Sequence, residues 1–288
     1  MQTIPLTDFD CGSLQIEGQV LSYLESGGEG QHVHFYHANG FPVSTYLPFL
    51  ELLTEQYNVL GLGIRGQDGQ SEGPTSWLEV ADDLIHFLDS KNLGPIIGIG
   101  HSIGAVATLF ASIKRPDLFS KIVLIDPVLI PWRYIIPFSL IKMIGRKDLF
   151  FLAKLARKRR STWESKEEAY SYFKEKPLFS NFEDDFLRSY VTYGLKPSTN
   201  GEIELVCPSE SEARIFESYP LNIWFWVSRN KTPTLILRGE HSDTLNADSV
   251  KRFCRKSKQV DSVVVEGAGH LIPMEKPTKV VELIKQFA

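Results

Sequence analysis

The stretch Ile96-Ile97-Gly98-Ile99-Gly100-His101-Ser102-Ile103-Gly104-Ala105-Val106-Ala107 changes character at its centre. Its first half is a β-branched apolar run that reads as a buried strand, and the residues from Ala105 to Lys114 read as a small-residue helix. Ser102 stands at the junction, inside Gly-x-Ser-x-Gly. A sharp strand-to-helix turn strains its central residue and crowds the positions two before and two after it, so only Gly or something nearly as small fits both. This is how a chain presents a serine hydroxyl as a nucleophile.

Outward from that unit, short β-rich runs alternate with helical ones. Val33–His37 precedes Leu47–Gln56, Asn58–Leu62 precedes Leu78–Ser90, and Lys121–Ile125 follows the helix after Ser102. Such alternation implies crossover connections, and hence an α/β fold with a mostly parallel, doubly wound sheet. The pattern stops near Pro127. Between about Val128 and Asn230 the chain reads as mostly helical, with only Gly201–Val206 as a short β-run; then Thr234–Leu237, Asp248–Cys254, Ser262–Val265 and Pro277–Phe287 resume the alternation. The expected organisation is a core of residues 1–127 and 231–288 with a helical cap, 128–230, inserted between its halves. Ligands of an open parallel sheet bind beyond the carboxyl ends of its strands, where every candidate below lies.

A serine hydroxyl needs a base, and the base needs an orienting group. His270 follows the strand Ser262–Val265 in Glu266-Gly267-Ala268-Gly269-His270, whose glycines allow a tight loop that aims the ring back over the sheet. The acid is expected after the preceding strand, where Arg238-Gly239-Glu240-His241-Ser242-Asp243 offers Asp243. Glu240 lies nearer that strand's end, and Asp126, directly after Lys121–Ile125, is a further carboxylate within reach of the same imidazole or an ordinary loop-starting Asp before Pro127. For the oxyanion, the Ile103 N–H comes free at the helix start, and Gly40 in His37-Ala38-Asn39-Gly40-Phe41-Pro42 permits a backbone that exposes the Phe41 N–H.

Four motifs in matching order, His37–Pro42, Gly100–Gly104, Gly239–Asp243 and Gly267–His270, resemble those of the α/β-hydrolase fold superfamily, in its group with an inserted cap. The resemblance implies Ser102, Asp243 and His270 as nucleophile, acid and base, in that family's chain order, with Phe41 and Ile103 as oxyanion donors and no cofactor or metal. It also implies a serine hydrolase acting on a small or medium carboxylic ester with an apolar portion. The same triad serves carbon–carbon, lactone or amide cleavage and acyl transfer, and the same fold serves as a non-catalytic small-ligand receptor. Two loops depart from the family pattern. Gly63-Ile64-Arg65-Gly66-Gln67-Asp68-Gly69-Gln70-Ser71 has Gly where the family usually has Asp, with one extra residue, and Ala38-Asn39 interrupts the His-Gly pair.

The remaining features narrow the setting. With 288 residues, 43% hydrophobic and 23% charged, the chain can bury a large core, and a net charge of −4 gives no global pull toward nucleic acid. Three cysteines, Cys11, Cys207 and Cys254, suit free thiols in a reducing compartment, and Met1–Asp10 lacks the look of a signal peptide, so a cytoplasmic location is expected. The apolar run Ile122–Ile144 is interrupted by Asp126, Arg133 and Lys142, and Pro127, Pro131 and Pro137 are expected to break a helix there. His32, His34 and His37 have a metal-like spacing but no accompanying carboxylate, and are read as structural. The basic, amphipathic Phe150–Arg160 is read as a cap helix with a solvated face rather than a membrane contact. Trp132, Trp163, Trp224 and Trp226 either pack the cap or line the cleft. A small-molecule substrate is the expected partner.

Overall fold

The alternating runs form an eight-stranded sheet in the computed structural model, which describes residues 9–28, 30–69, 73–143 and 150–288, with the backbone alone for 141–143. Its strands are β1 (Asp10–Ile16), β2 (Gln19–Glu25), β3 (Gln31–Tyr36), β4 (Tyr57–Leu62), β5 (Ile96–His101), β6 (Phe119–Ile125), β10 (Thr234–Gly239) and β11 (Val260–Val265), in the order β1-β2-β4-β3-β5-β6-β10-β11. From β4 to β11 every neighbouring pair is parallel, as the crossover reading requires.

Side-chain alternation explains why both faces are covered. Val33, Phe35, Ile97, Ile99, Val123, Ile125, Leu235 and Leu237 pack on one face against α1 (Leu47–Thr54) and α12 (Pro277–Phe287). Tyr36, Leu60, Leu62, Ile122, Leu124 and Ile236 pack on the other against α2 (Trp77–Ser90), α3 (Ile103–Lys114) and α10 (Ala247–Lys256). A strand buried on both faces has no polar side to show, which is why β5 and β6 read as continuous apolar runs. Each large side chain buried this way contributes about 1.5–3 kcal/mol.

Two parts of the architecture depart from the sequence reading. β1 and β2 form an antiparallel hairpin that extends the sheet beyond β4, turning at Glu17 and Gly18 with φ of 49° and 78°. A two-residue loop with positive φ at both positions matches the twist of its strands, and Glu-Gly is a weak version of the Asn-Gly signal. Between β6 and β10 the chain forms α4 (Trp132–Met143), α5 (Phe151–Lys158), α6 (Lys166–Lys174), α7 (Asp184–Tyr193), α8 (Ser209–Glu217) and α9 (Ile223–Val227). It also forms a small antiparallel sheet of β7 (Thr162–Trp163), β9 (Ile203–Leu205) and β8 (Leu195–Pro197). Only β9 falls within an expected β-run, Gly201–Val206, because strands of two or three residues carry too little periodicity to read. Pro137 lies inside α4, so it does not end a helix as expected; it leaves the Arg133 carbonyl without its intrahelical donor. Among the described residues no helix is long and apolar enough to cross a membrane.

The histidines of β3 are accounted for by packing. His34 lies wholly buried against the rings of Tyr36 and Phe87, and burial lowers it to about 3, with nearby His37 adding to the effect. His37 is lowered to about 4, again by burial, against the opposing pull of the Ala38 carbonyl. In the unfolded chain both take up a proton near 6.5, the value from which they are displaced, while the folded protein stays neutral well below it. The unfolded state therefore binds more protons, and stability falls as pH falls through that window. Acidification from about pH 7 to about pH 5 should cost on the order of 4 kcal/mol from these two groups together. Buried Asp83 and half-buried Glu212, raised by desolvation, act in the opposite sense toward the acid end. Urea melts across that range check this; a midpoint that stays constant would contradict it.

Candidate active site

The parallel order sets the carboxyl ends of β5, β6, β10 and β11 side by side, so the loops that follow them meet. At the end of β5, Ser102 has φ 58° and ψ −116°, in the left-handed half of the map that a residue with a Cβ enters only under constraint. The constraint is visible in its neighbours. A Cβ on Gly100 would lie 2.4 Å from the Gly104 carbonyl oxygen, and one on Gly104 would lie 2.2 Å from that of Tyr36. The Ser102 N–H donates to the Ile125 carbonyl at 3.0 Å, tying the turn to the end of β6.

His270 reaches this turn. Its Nε2 lies 3.0 Å from Ser102 Oγ, and its Nδ1 lies 2.7 Å from Asp126 Oδ2. With Nδ1–H donating to the carboxylate, Nε2 is left to accept the serine proton. Asp126 is wholly buried and occupies a positive φ of 42° at the end of β6. Its carboxylate also accepts from the Gly239 N–H at 3.0 Å and from the Ser242 hydroxyl at 2.5 Å. Thr244 and Leu245 donate their N–H groups to Ser242 Oγ, which turns the hydroxyl proton toward Asp126. Three donors on one buried carboxylate fix its direction.

The structure thus brings Ser102 and His270 together as expected and corrects the partner of His270. Asp243 is exposed, and its Oδ1 accepts from the neighbouring Thr244 hydroxyl at 3.2 Å rather than from the imidazole. The loop after β10 turns Ser242 inward and Asp243 outward, so it brings a hydroxyl to Asp126 and no carboxylate to the imidazole. Glu240 is occupied elsewhere, accepting the Gly267 N–H at 2.8 Å. That bond, with Gly269 N–H donating to Glu275 at 2.6 Å and φ 65° at Gly267, shapes the loop that aims His270.

A second polar chain has almost no signal in the sequence. Tyr46 Oη accepts from the Ala38 N–H at 3.2 Å and donates to His101 Nδ1 at 2.8 Å, and His101 Nε2–H donates to the His270 carbonyl at 2.9 Å. Complete burial, and then proximity to His270, hold His101 well below the ordinary imidazole range, so it stays the neutral relay this chain requires. Its position between Gly100 and Ser102 was the only available signal.

Of the two expected oxyanion donors, Ile103 opens α3, where a first-turn N–H has no acceptor within its helix. The Phe41 N–H closes a turn onto the Ala38 carbonyl at 3.3 Å, with Gly40 at φ 79°. That carbonyl already accepts from His37 Nδ1 at 2.8 Å, while His37 Nε2 accepts from the Ile64 N–H. Gln67 steadies the loop: its Oε1 accepts from the Gly40 N–H at 3.0 Å and its Nε2 donates to Asn39 at 2.5 Å. The departures noted in both loops are therefore matched to each other, although Gln70 and Ser71 lie outside the described residues. The rings that reach Phe41 are Phe179, Phe182 and Tyr190, not the tryptophans. Trp163 packs on Tyr172 and Phe173, Trp226 on Phe110, and Trp132 is exposed.

Among known proteins, residues 33–283 match the alpha/beta hydrolase family. The chain belongs to the α/β-hydrolase family. A putative esterase/lipase of Haemophilus influenzae is 27% identical over 240 residues, 81% of this chain and 75% of that protein. The 2-(acetamidomethylene)succinate hydrolase of Mesorhizobium japonicum is 23% identical over 273 residues, 94% and 92% of the two chains. A solved E-2-(acetamidomethylene)succinate hydrolase superposes with a TM-score of 0.79 at 22% identity over 97% of this chain and 98% of its own, which is a likeness of fold. This α/β-hydrolase is an enzyme, like the esterases and hydrolases it resembles.

Proposed function

We propose that the protein is a serine hydrolase that cleaves a small or medium carboxylic ester with an apolar portion through an acyl-enzyme on Ser102, with His270 as base and Asp126 as the orienting acid. The observation that carries this reading is the continuous line from Ser102 Oγ to His270 Nε2 at 3.0 Å and from His270 Nδ1 to Asp126 at 2.7 Å. In the first half-reaction His270 takes the serine proton as Oγ attacks the ester carbonyl, and Asp126 stabilises the imidazolium. The tetrahedral oxyanion accepts from the Ile103 N–H and from the Phe41 N–H, which leaves its long 3.3 Å turn bond to a carbonyl that still accepts from His37. His270 Nε2–H then protonates the departing alcohol. Water, deprotonated by the same nitrogen, repeats the attack and frees the acid.

Residues 128–230 act as the cap in this proposal, and the Phe179, Phe182 and Tyr190 rings against Phe41 supply an apolar wall for the acyl or alcohol group. An ester specificity also accords with the esterase name of the Haemophilus relative. A hydrolysis screen over esters, thioesters, amides, lactones and β-diketones of graded size tests it. Turnover should be highest on esters with short to medium apolar acyl chains; a clear preference for amides or β-diketones would overturn the ester assignment while leaving the triad standing.

A further inference from the structure

We propose that α4 and the arginine-lined cleft at its start form a docking surface for an anionic lipid bilayer, reversing the expectation of no membrane contact. Ten large apolar side chains are exposed among the described residues, and seven of them lie on α4 and α5. On α4, Trp132, Ile136 and Leu140 are 56%, 61% and 52% exposed at a spacing of four, so they form one outward stripe. The helix is held from its other side, where Phe138 packs on the Phe150 ring and Ile135 on the core. On α5, buried Ala153 and Ala156 pack against Ala213 of α8, while Phe151, Leu152 and Leu155 face out beside exposed Lys154 and Lys158.

The stripe runs into a cleft of about 220 Å³ lined by Trp132, Arg133, Trp224, Arg252, Arg255 and a single carboxylate, Asp248. Among the described residues none of these three arginines has an ion-pair partner. Arg252 lies 5.0 Å from the Trp224 ring and 5.9 Å from that of Trp132, and its buried Nε has no acceptor. A guanidinium held between two indoles with donors to spare is preset for a phosphate diester. Trp132 belongs to both the stripe and the cleft, so the apolar edge meets the cationic pocket at one residue, as acyl chains meet headgroups in a bilayer. Apolar insertion combined with cationic headgroup capture is how interfacial surfaces bind reversibly. None of the residues lining the cleft belongs to the Ser102–His270–Asp126 line, and the proposal does not depend on the proposed reaction.

Vesicle co-sedimentation tests the proposal. The full chain should sediment with phosphatidylcholine vesicles containing phosphatidylglycerol and not with phosphatidylcholine alone, with a blue shift in tryptophan emission. Arg252→Gln and Arg255→Gln should each weaken binding about fivefold, and high salt should weaken it further. Ile136→Asp should abolish it, and all three variants should keep wild-type hydrolysis of a soluble ester, which shows that they fold. Absence of binding to the anionic vesicles, or equal binding to neutral ones, overturns the proposal. So does binding of free inorganic phosphate in the cleft without vesicle association, or a dimer in sedimentation velocity that buries the stripe.

Discussion

Ser102→Ala is expected to lower turnover of an ester substrate about a million-fold while leaving its binding nearly unchanged. The side chain removed is 6% exposed and makes one hydrogen bond, to His270, so little stability depends on it. What disappears is the atom proposed to form the acyl intermediate, so in the proposed mechanism the remaining groups can do no more than orient water. The measurement is kcat and KM of wild type and variant on one short-chain ester, with thermal melts to confirm an intact fold. A variant retaining more than about a hundredth of wild-type turnover would mean that another nucleophile operates.

Asp126→Asn is expected to lower turnover on the order of ten-thousand-fold, and Asp243→Asn to change it by less than about twofold. The physical reason lies in the direction of one proton. Asp126 accepts the Nδ1–H and so leaves Nε2 bare toward Ser102. An Asn whose Oδ1 still accepts from the Gly239 N–H must turn its amide N–H groups toward Ser242 and His270, which favours the imidazole tautomer with its proton on Nε2. The ring then offers the serine a donor in place of a lone pair. Asp243, exposed and bonded only to Thr244 among the described contacts, has no part in this. The reverse result, a crippled Asp243→Asn with a near-normal Asp126→Asn, would refute the assignment.

The difference between these two carboxylates shows where the sequence stops being legible. The strand pattern, the nucleophile turn and the His270 loop could all be read because each rests on local signals: β-branched runs, glycines at forced contacts, and an ordered series of loops. The choice of acid rests on a non-local fact. β6 and β10 are neighbours in the sheet, so the loops following both open over the same imidazole, and either can deliver a carboxylate. What decides is the turn of one residue. At Ser242 the chain points a hydroxyl at the site, and only the backbone of Gly239–Leu245 determines that Asp243 then faces water. The Tyr46–His101 relay was hidden for the same reason, since its members are 55 residues apart and meet only after β3 and β5 pair. The β1–β2 hairpin, by contrast, joins adjacent residues; its Glu17-Gly18 turn was simply weak punctuation.

The most direct test of the central claim is covalent. Wild-type protein treated with a fluorophosphonate and analysed by peptide mass spectrometry should carry a single adduct, on Ser102, formed rapidly in the wild type and in Asp243→Asn but far more slowly in Asp126→Asn. An unmodified Ser102, an adduct on a different residue, or equal labelling of the Asp126→Asn variant would contradict an account in which Asp126 and His270 make that hydroxyl reactive.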